Sequence, residues 1–172
     1  MKQLWYLSIF LLFNSTYLNA QEINWLTIEE AEAANKNEPR KILIDVYTDW
    51  CGWCKKMDAT TFEDKNIVEY LNKNYYCVKL DGEDKDILVF KGVEFNFVNE
   101  GRRGYHELAA GFLQGKMSYP SLVFLNEDLT VLQVMNGFRT SNELLPIITF
   151  LGDNAYKEIS WTEYINETKG EK

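Results

Sequence analysis

The chain has one histidine, three cysteines and three prolines in 172 residues, and each scarcity removes a class of chemistry. A structural zinc site usually needs four Cys or His ligands, so three cysteines with a single His106 make metal binding unexpected. Covalent haem attachment needs a histidine directly after the second cysteine of a C-x-x-C pair; Lys55 stands there instead. A cysteine hydrolase pairs its nucleophile with a histidine, but His106 in Tyr105-His106-Glu107-Leu108 is expected at a solvated helix position. The chain contains no G-x-x-x-x-G-K-[ST], no G-x-G-x-x-G and no G-x-S-x-G, so neither nucleotide-dependent nor serine-hydrolase chemistry is supported. No cofactor is expected. Clustered Lys and Arg are also missing, and with a net charge of −8 nucleic acid is excluded as an expected partner.

Long apolar runs are missing as well. The longest, Leu4 to Phe13, follows a short basic start and is about half of the roughly 20 residues a membrane-spanning helix needs. With Asn14 to Ala20 after it, it reads as a secretory signal peptide over residues 1–20. An uncleaved anchor is the alternative. No cysteine lies next to the expected cleavage point, so a lipid-modified amino terminus is not indicated. An exported protein, periplasmic or extracellular, is expected. The remainder, residues 21–172, suits one domain burying roughly 70% of its unfolded surface. Its composition, 46% hydrophobic and 15% aromatic, is too apolar for disorder.

The most telling stretch that is present is Trp50-Cys51-Gly52-Trp53-Cys54-Lys55. Two thiols three residues apart can open and close one disulfide on a single helical turn. Before them runs Lys41 to Tyr47, apolar and β-branched, so the cysteines lie where a buried strand ends and a helix begins. A helix start offers free N–H groups and partial positive charge, which stabilise a thiolate on the first cysteine. An ordinary thiol is only about 3% thiolate at pH 7, and a pKa two units lower would make it about three-quarters thiolate. Cys51 is therefore the expected attacking sulfur. A Cys51–Cys54 bond closes too small a loop to restrain the unfolded chain much, so it suits a redox switch better than a staple. Cys77, in the strand-like run Tyr75 to Leu80, is expected to be a buried core thiol.

Around this centre the chain alternates strand and helix patterns. Thr27 followed by Glu29-Glu30-Ala31-Glu32-Ala33-Ala34 reads as a capped helix start, followed by a strand at 41–47, helical stretches from Cys51 to Ala59 and Asp64 to Asn72, and a strand at 76–80. Strand, helix, strand favours a crossover in an α/β sheet. Ile87 to Phe97 reads as a hairpin turning at Lys91-Gly92, or as a short helix before Gly92. Gly101 to Gly104 is a loop, and Tyr105 to Leu113 an Ala-rich helix. Ser121–Leu125 and Val131–Met135 form an antiparallel hairpin across Asn126-Glu127-Asp128. A helix starts at Ser141, with Pro146 tolerable within or just past its first turn, and a short helix capped by Ser160 follows.

This order of elements and motifs resembles the thioredoxin superfamily, in particular its secreted bacterial members, over roughly residues 40–151. The run Ile42 to Asp45 followed by Trp50-Cys51-Gly52-x-Cys54-Lys55 is similar to the family's active-site strand and helix. Lys79 falls where the family places a lysine on the next strand, Tyr119-Pro120-Ser121 is similar to its X-cis-Pro-Thr element, and Gly137 matches the glycine before its last helix. The resemblance implies an α/β thioredoxin-like fold: a central mixed sheet flanked by helices, with an insertion at about 81–119 before the cis-Pro strand. It further implies that Asp45 is buried beneath the cysteines as a proton carrier, where desolvation raises a carboxyl pKa; pairing of Asp45 with Lys79 is compatible with this. A cis Pro120 would set the Tyr119 backbone beside the disulfide to pair with an extended substrate. A trans proline starting an edge strand is the other option. Trp50 and Trp53 would form an apolar collar for substrate, unless Trp53 is a core anchor.

Trp53 replaces the proline common between the cysteines of reducing thioredoxins, which affects redox potential. The 81–119 segment could cover the active site, bind a partner or be structural. The function expected is an exported thiol-disulfide oxidoreductase, acting as a reductant on protein disulfides. Cys51 attacks, Cys54 resolves, and Asp45 with Lys79 assists. Resetting the enzyme requires a separate redox partner, such as a membrane electron carrier. The alternative is a partner-binding module whose C-x-x-C is structural.

Overall fold

The computed structural model describes residues 22–170, so the signal peptide expected at 1–20 lies outside the described residues. A short strand β1 (Trp25–Leu26) leads into helix α1 (Ile28–Asn37). Its start is closed reciprocally: the Thr27 hydroxyl accepts from the Glu30 N–H at 3.2 Å, and the Glu30 carboxylate accepts from the Thr27 N–H at 2.9 Å. Two donors that a helix leaves free at its start are thereby satisfied. Strand β2 (Lys41–Tyr47), helices α2 (Gly52–Thr60) and α3 (Lys65–Asn74) and strand β3 (Tyr75–Asp81) then complete the expected crossover. β2 and β3 run parallel, with Leu43 opposite Cys77 and Asp45 opposite Lys79.

Two small hairpins follow, β4 (Leu88–Phe90) with β5 (Val93–Phe95) and β6 (Phe97–Val98) with β7 (Tyr105–His106). Helix α4 (Glu107–Phe112), strands β8 (Ser121–Leu125) and β9 (Val131–Asn136), helix α5 (Ser141–Gly152), a short 3₁₀ turn and helix α6 (Trp161–Gly170) complete the chain. Pro146 lies in the second turn of α5, which continues through it. The main sheet has the order β1-β3-β2-β8-β9, with β8 and β9 antiparallel to their neighbours. It is the expected mixed sheet. Among the described residues, no helix is long and apolar enough to cross a membrane.

Side chains alternate across a strand, and here that sorts the core into two layers. Leu43, Cys77, Leu122 and Phe124 pack with Met57, Ile67, Leu71, Leu144 and Ile148 of α2, α3 and α5. Ile42, Ile44, Val78, Val123 and Leu125 pack with Ile28 and Ala31 of α1 and Leu108, Ala109 and Phe112 of α4. β2 and β8 are buried on both faces, which explains why their sequences are apolar on both faces, with Asp45 a polar exception inside β2.

The 81–119 segment contributes to this second layer. Phe90, Leu108, Ala109, Phe112 and Leu113 are buried in it, and Glu29 and Glu32 of α1 accept from the N–H groups of Val89 and Lys91, both at 2.8 Å. Two expectations here are corrected. The helix begins at Glu107, because Tyr105 and His106 pair with Val98 and Phe97 as a strand. His106 is completely buried, not solvated. Its Nδ1 accepts from the Leu108 N–H at 3.2 Å and its Nε2 meets the Asp86 carbonyl at 3.2 Å. Through these two bonds the ring ties the helix start to the loop after β3.

Candidate active site

Local chain geometry places the two cysteines. Strand β2 ends at Tyr47, and Cys51 becomes the N-cap of α2, with extended backbone and its sulfur accepting from the Cys54 N–H at 3.0 Å. A sulfur thus takes the place of the oxygen that usually satisfies a free donor at a helix start. Cys51 and Cys54 are joined by a disulfide, S–S 2.04 Å. Cys51 is 5% exposed and Cys54 2%. A Cβ on Gly52 would meet nothing within 4 Å, so the backbone above the disulfide is open.

Asp45 follows Leu43 at strand period, and therefore faces α2 from below. It is 1% exposed. Its Oδ2 accepts from Lys79 Nζ at 2.7 Å, across the parallel register that sets the two residues side by side. Its Oδ1 is buried without a protein partner. Burial is the dominant influence and pushes the Asp45 carboxyl up to about 6, against the opposing pull of the Lys79 ammonium; the charge of Asp58 adds to the rise. Lys79 contacts Asp58 as well. Burial alone would lower the Lys79 pKa, yet its two carboxylates together raise it above the ordinary value. The ammonium also lies 4.8 Å from the Trp25 ring centre, 5.2 Å from Tyr47 and 5.3 Å from Phe62, an arrangement that favours the cation.

The Tyr119–Pro120 peptide is cis, and the Pro120 carbonyl accepts from the Gly137 N–H at 2.7 Å. The Tyr119 ring fits over Gly82, where any Cβ would collide with it, and meets Trp50 edge-on at 5.8 Å. Trp50 donates from Nε1 to Glu83 at 3.0 Å and carries the Arg103 guanidinium 4.8 Å from its ring centre. The second indole stands apart from this group. Trp53 packs on Phe138 at 5.4 Å, has Lys56 Nζ 4.9 Å away, and is 57% exposed; it is not a core anchor. Trp50 is 50% exposed.

Of the residues singled out in the sequence, Cys51 with Cys54, Asp45 with Lys79, and Trp50 with Tyr119 and Pro120 are brought together as three groups. Asp58, Glu83, Arg103 and Phe138 were not singled out. Asp58 had a signal, since four residues after Cys54 is one helical turn on the same face. The others depend on where distant loops travel. Cys77 is buried, and burial pushes its thiol far above the ordinary range. Among the described residues, no three His, Cys, Asp or Glu side chains gather as a metal-binding set.

Comparison with known proteins follows the same lines. A curated relative, the mouse protein "Spermatogenesis-associated protein 20", is 33% identical over 57 residues, which cover 33% of this chain and 7% of that protein. The chain thus spans a small part of the relative it matches. Among solved structures, a protein described as "DsbH Oxidoreductase" superposes with a TM-score of 0.54 at 18% identity, over 80% of this chain and 90% of its own. A putative disulphide-isomerase from Bacteroides thetaiotaomicron superposes with a TM-score of 0.54 at 24% identity, over 76% and 93%. The mixed sheet flanked by helices agrees with the thioredoxin fold of these structures. The family model Thioredox_DsbH, described as a protein of unknown function, DUF255, matches residues 9–96, just over half of the 172, and the chain belongs to that thioredoxin-like family.

Proposed function

We propose that the protein is a thiol-disulfide oxidoreductase that reduces disulfides in protein substrates outside the cytoplasm. The observation that carries this is a Cys51–Cys54 pair at a helix N-cap above a buried, protonatable Asp45. After reduction, the Cys51 thiolate keeps the Cys54 N–H and the helix start as stabilising partners. It attacks one sulfur of a substrate disulfide, forming a mixed disulfide and releasing the other sulfur as a thiolate, which takes a proton from water. Cys54 then gives its proton to the Asp45 carboxylate and attacks the Cys51 sulfur. The Cys51–Cys54 bond forms, the second substrate sulfur leaves as a thiolate that takes a proton from water, and two electrons have passed to the substrate.

The exposed Trp50, edge-on to Tyr119 beside the cis Pro120, and the exposed Trp53 suit an extended segment that pairs with the Tyr119 backbone and rests apolar side chains on the indoles. A separate redox partner must reset the enzyme, and a membrane electron carrier suits an exported reductant. The apolar leader at residues 1–20 is what supports export.

Reduction of insulin or of a model peptide disulfide tests the reading. Cys51→Ser should abolish it, and Cys54→Ala should accumulate mixed disulfides with substrates. Partner capture that survives in a Cys51→Ser, Cys54→Ser double variant, with no disulfide reduction by the unaltered protein, would instead identify a binding module. Equilibration with glutathione or dithiothreitol gives the direction. A strongly negative potential supports the reductant, and a high one an oxidant or isomerase.

A further inference from the structure

The exchange reaction proposed above uses Asp45 and leaves its neighbour Asp58 without a role. Asp58 lies on α2 four residues after Cys54, so both project from one face of the helix toward β2 and β3. Its carboxylate contacts the same Lys79 ammonium that bonds Asp45 Oδ2 at 2.7 Å. One cation is divided between a strand carboxyl that is 1% exposed and a helix carboxylate that is 43% exposed. Lys79 and Asp58 also line a cleft of about 270 Å³ with Trp25, Phe62, Glu22 and Glu63. None of the cysteines, Trp50, Trp53, Tyr119 or Pro120 lines it.

We propose that Asp58 is a positioning residue, which by taking a share of Lys79 leaves the buried Asp45 carboxyl able to accept the Cys54 proton. This rests on the role given to Asp45 in the proposed reaction. The charged and titratable groups around Asp45 are few. Lys79 faces it from β3, Asp58 acts on it from α2, Tyr47 flanks Lys79 from β2, and β8 presents the apolar Leu122. Glu22 and Glu63 lie at the cleft. Were Lys79 committed to Asp45 alone, the ionised carboxylate would be held in a close ion pair and would be a weak base. With Asp58 present, transfer of the Cys54 proton to Asp45 lets Lys79 turn to a carboxylate that remains charged. The ammonium is never stranded. When Asp45 gives up the proton to water, Lys79 is shared again, and Lys79 stays protonated throughout.

The test follows the Asp45 carboxyl directly, by NMR titration of carboxyl-labelled aspartates in the reduced protein, with the signal assigned by its loss in Asp45→Asn. Removing the Asp58 charge and freeing Lys79 both favour ionised Asp45, so their signs agree. Asp58→Asn should lower the Asp45 midpoint by about one pH unit, a tenfold change in the ratio of protonated to ionised carboxyl. Asp58→Glu, which keeps the charge, should leave it close to the unaltered protein. The acid limb of the pH-rate profile for Cys54 attack on a Cys51 mixed disulfide should move with the midpoint.

An unmoved midpoint in a folded Asp58→Asn protein overturns the proposal. A midpoint that moves while the rate profile stays in place upholds the sharing of Lys79 and instead refutes Asp45 as the proton acceptor. Should the unaltered protein exchange no disulfides, the proposed reaction fails, and the carboxyl titration still decides the part played by Asp58.

Discussion

Asp45→Asn should make the oxidised protein more stable at pH 8 and leave it almost unchanged at pH 4. In the unfolded chain the carboxyl ionises near its ordinary 3.8, whereas in the native protein burial holds it up to about 6. A group whose pKa rises on folding contributes stability below its unfolded value, and that contribution is lost as pH rises through the folded value. The window therefore runs from 3.8 to about 6, and stability falls across it as pH increases. Each tenfold change in a proton equilibrium is worth about 1.4 kcal/mol, so ionised Asp45 costs the native state about 3 kcal/mol above the window. The asparagine variant avoids that cost but forfeits the bond to Lys79, which keeps Asp58 as partner. A net gain of about 1–3 kcal/mol is expected at pH 8. Urea unfolding of both proteins at several values from pH 4 to 8 measures it, and other carboxylates cancel in the difference. A variant less stable than its parent at pH 8, or a difference that ignores pH, would refute the argument that burial dominates at Asp45.

Three further outcomes are expected. Arg103→Ala removes the cation from the Trp50 face and should raise KM for peptide disulfides about three- to tenfold with kcat unchanged; a fall in kcat at constant KM would show that Arg103 acts elsewhere than in substrate binding. His106→Ala strands the Leu108 N–H and the Asp86 carbonyl and opens a cavity, so urea unfolding should show a loss of about 2–4 kcal/mol, and a loss under about 1 kcal/mol would contradict its bonding role. Cys77 should resist iodoacetamide in the folded protein and be labelled only on unfolding, because burial denies it both access and ionisation; labelling of native protein, read by mass spectrometry, would count against the core placement.

Much of the fold could be read in the chain because its signals are local. The capped start at Thr27, the strand at 41–47 and the hairpin of 121–125 with 131–136 each depend on a few neighbouring residues, and the structure resolves 87–97 as the hairpin, not the short helix. His106 shows where local reasoning stops. Beside Glu107 it reads as a solvated helix residue, but the strand pairing of Tyr105 and His106 with Val98 and Phe97 turns it inward to cap α4. Its partner carbonyl on Asp86 lies 20 residues away. The fate of the 81–119 segment was equally hidden, since its packing on α1 rests on Glu29 and Glu32, which look like surface carboxylates in the sequence.

By itself the sequence determined the position of the cysteine pair, because C-x-x-C after a buried strand falls at a helix start, and it determined the strand and helix order through periods of two and 3.6 residues. Only the tertiary structure decided what surrounds that pair. Parallel register set Asp45 beside Lys79, the α2 face brought Asp58 to the same ammonium, and the β6–β7 turn carried Arg103 to Trp50. A proton equilibrium depends on charges and burial gathered from remote parts of the chain, and no local pattern of residues encodes that gathering.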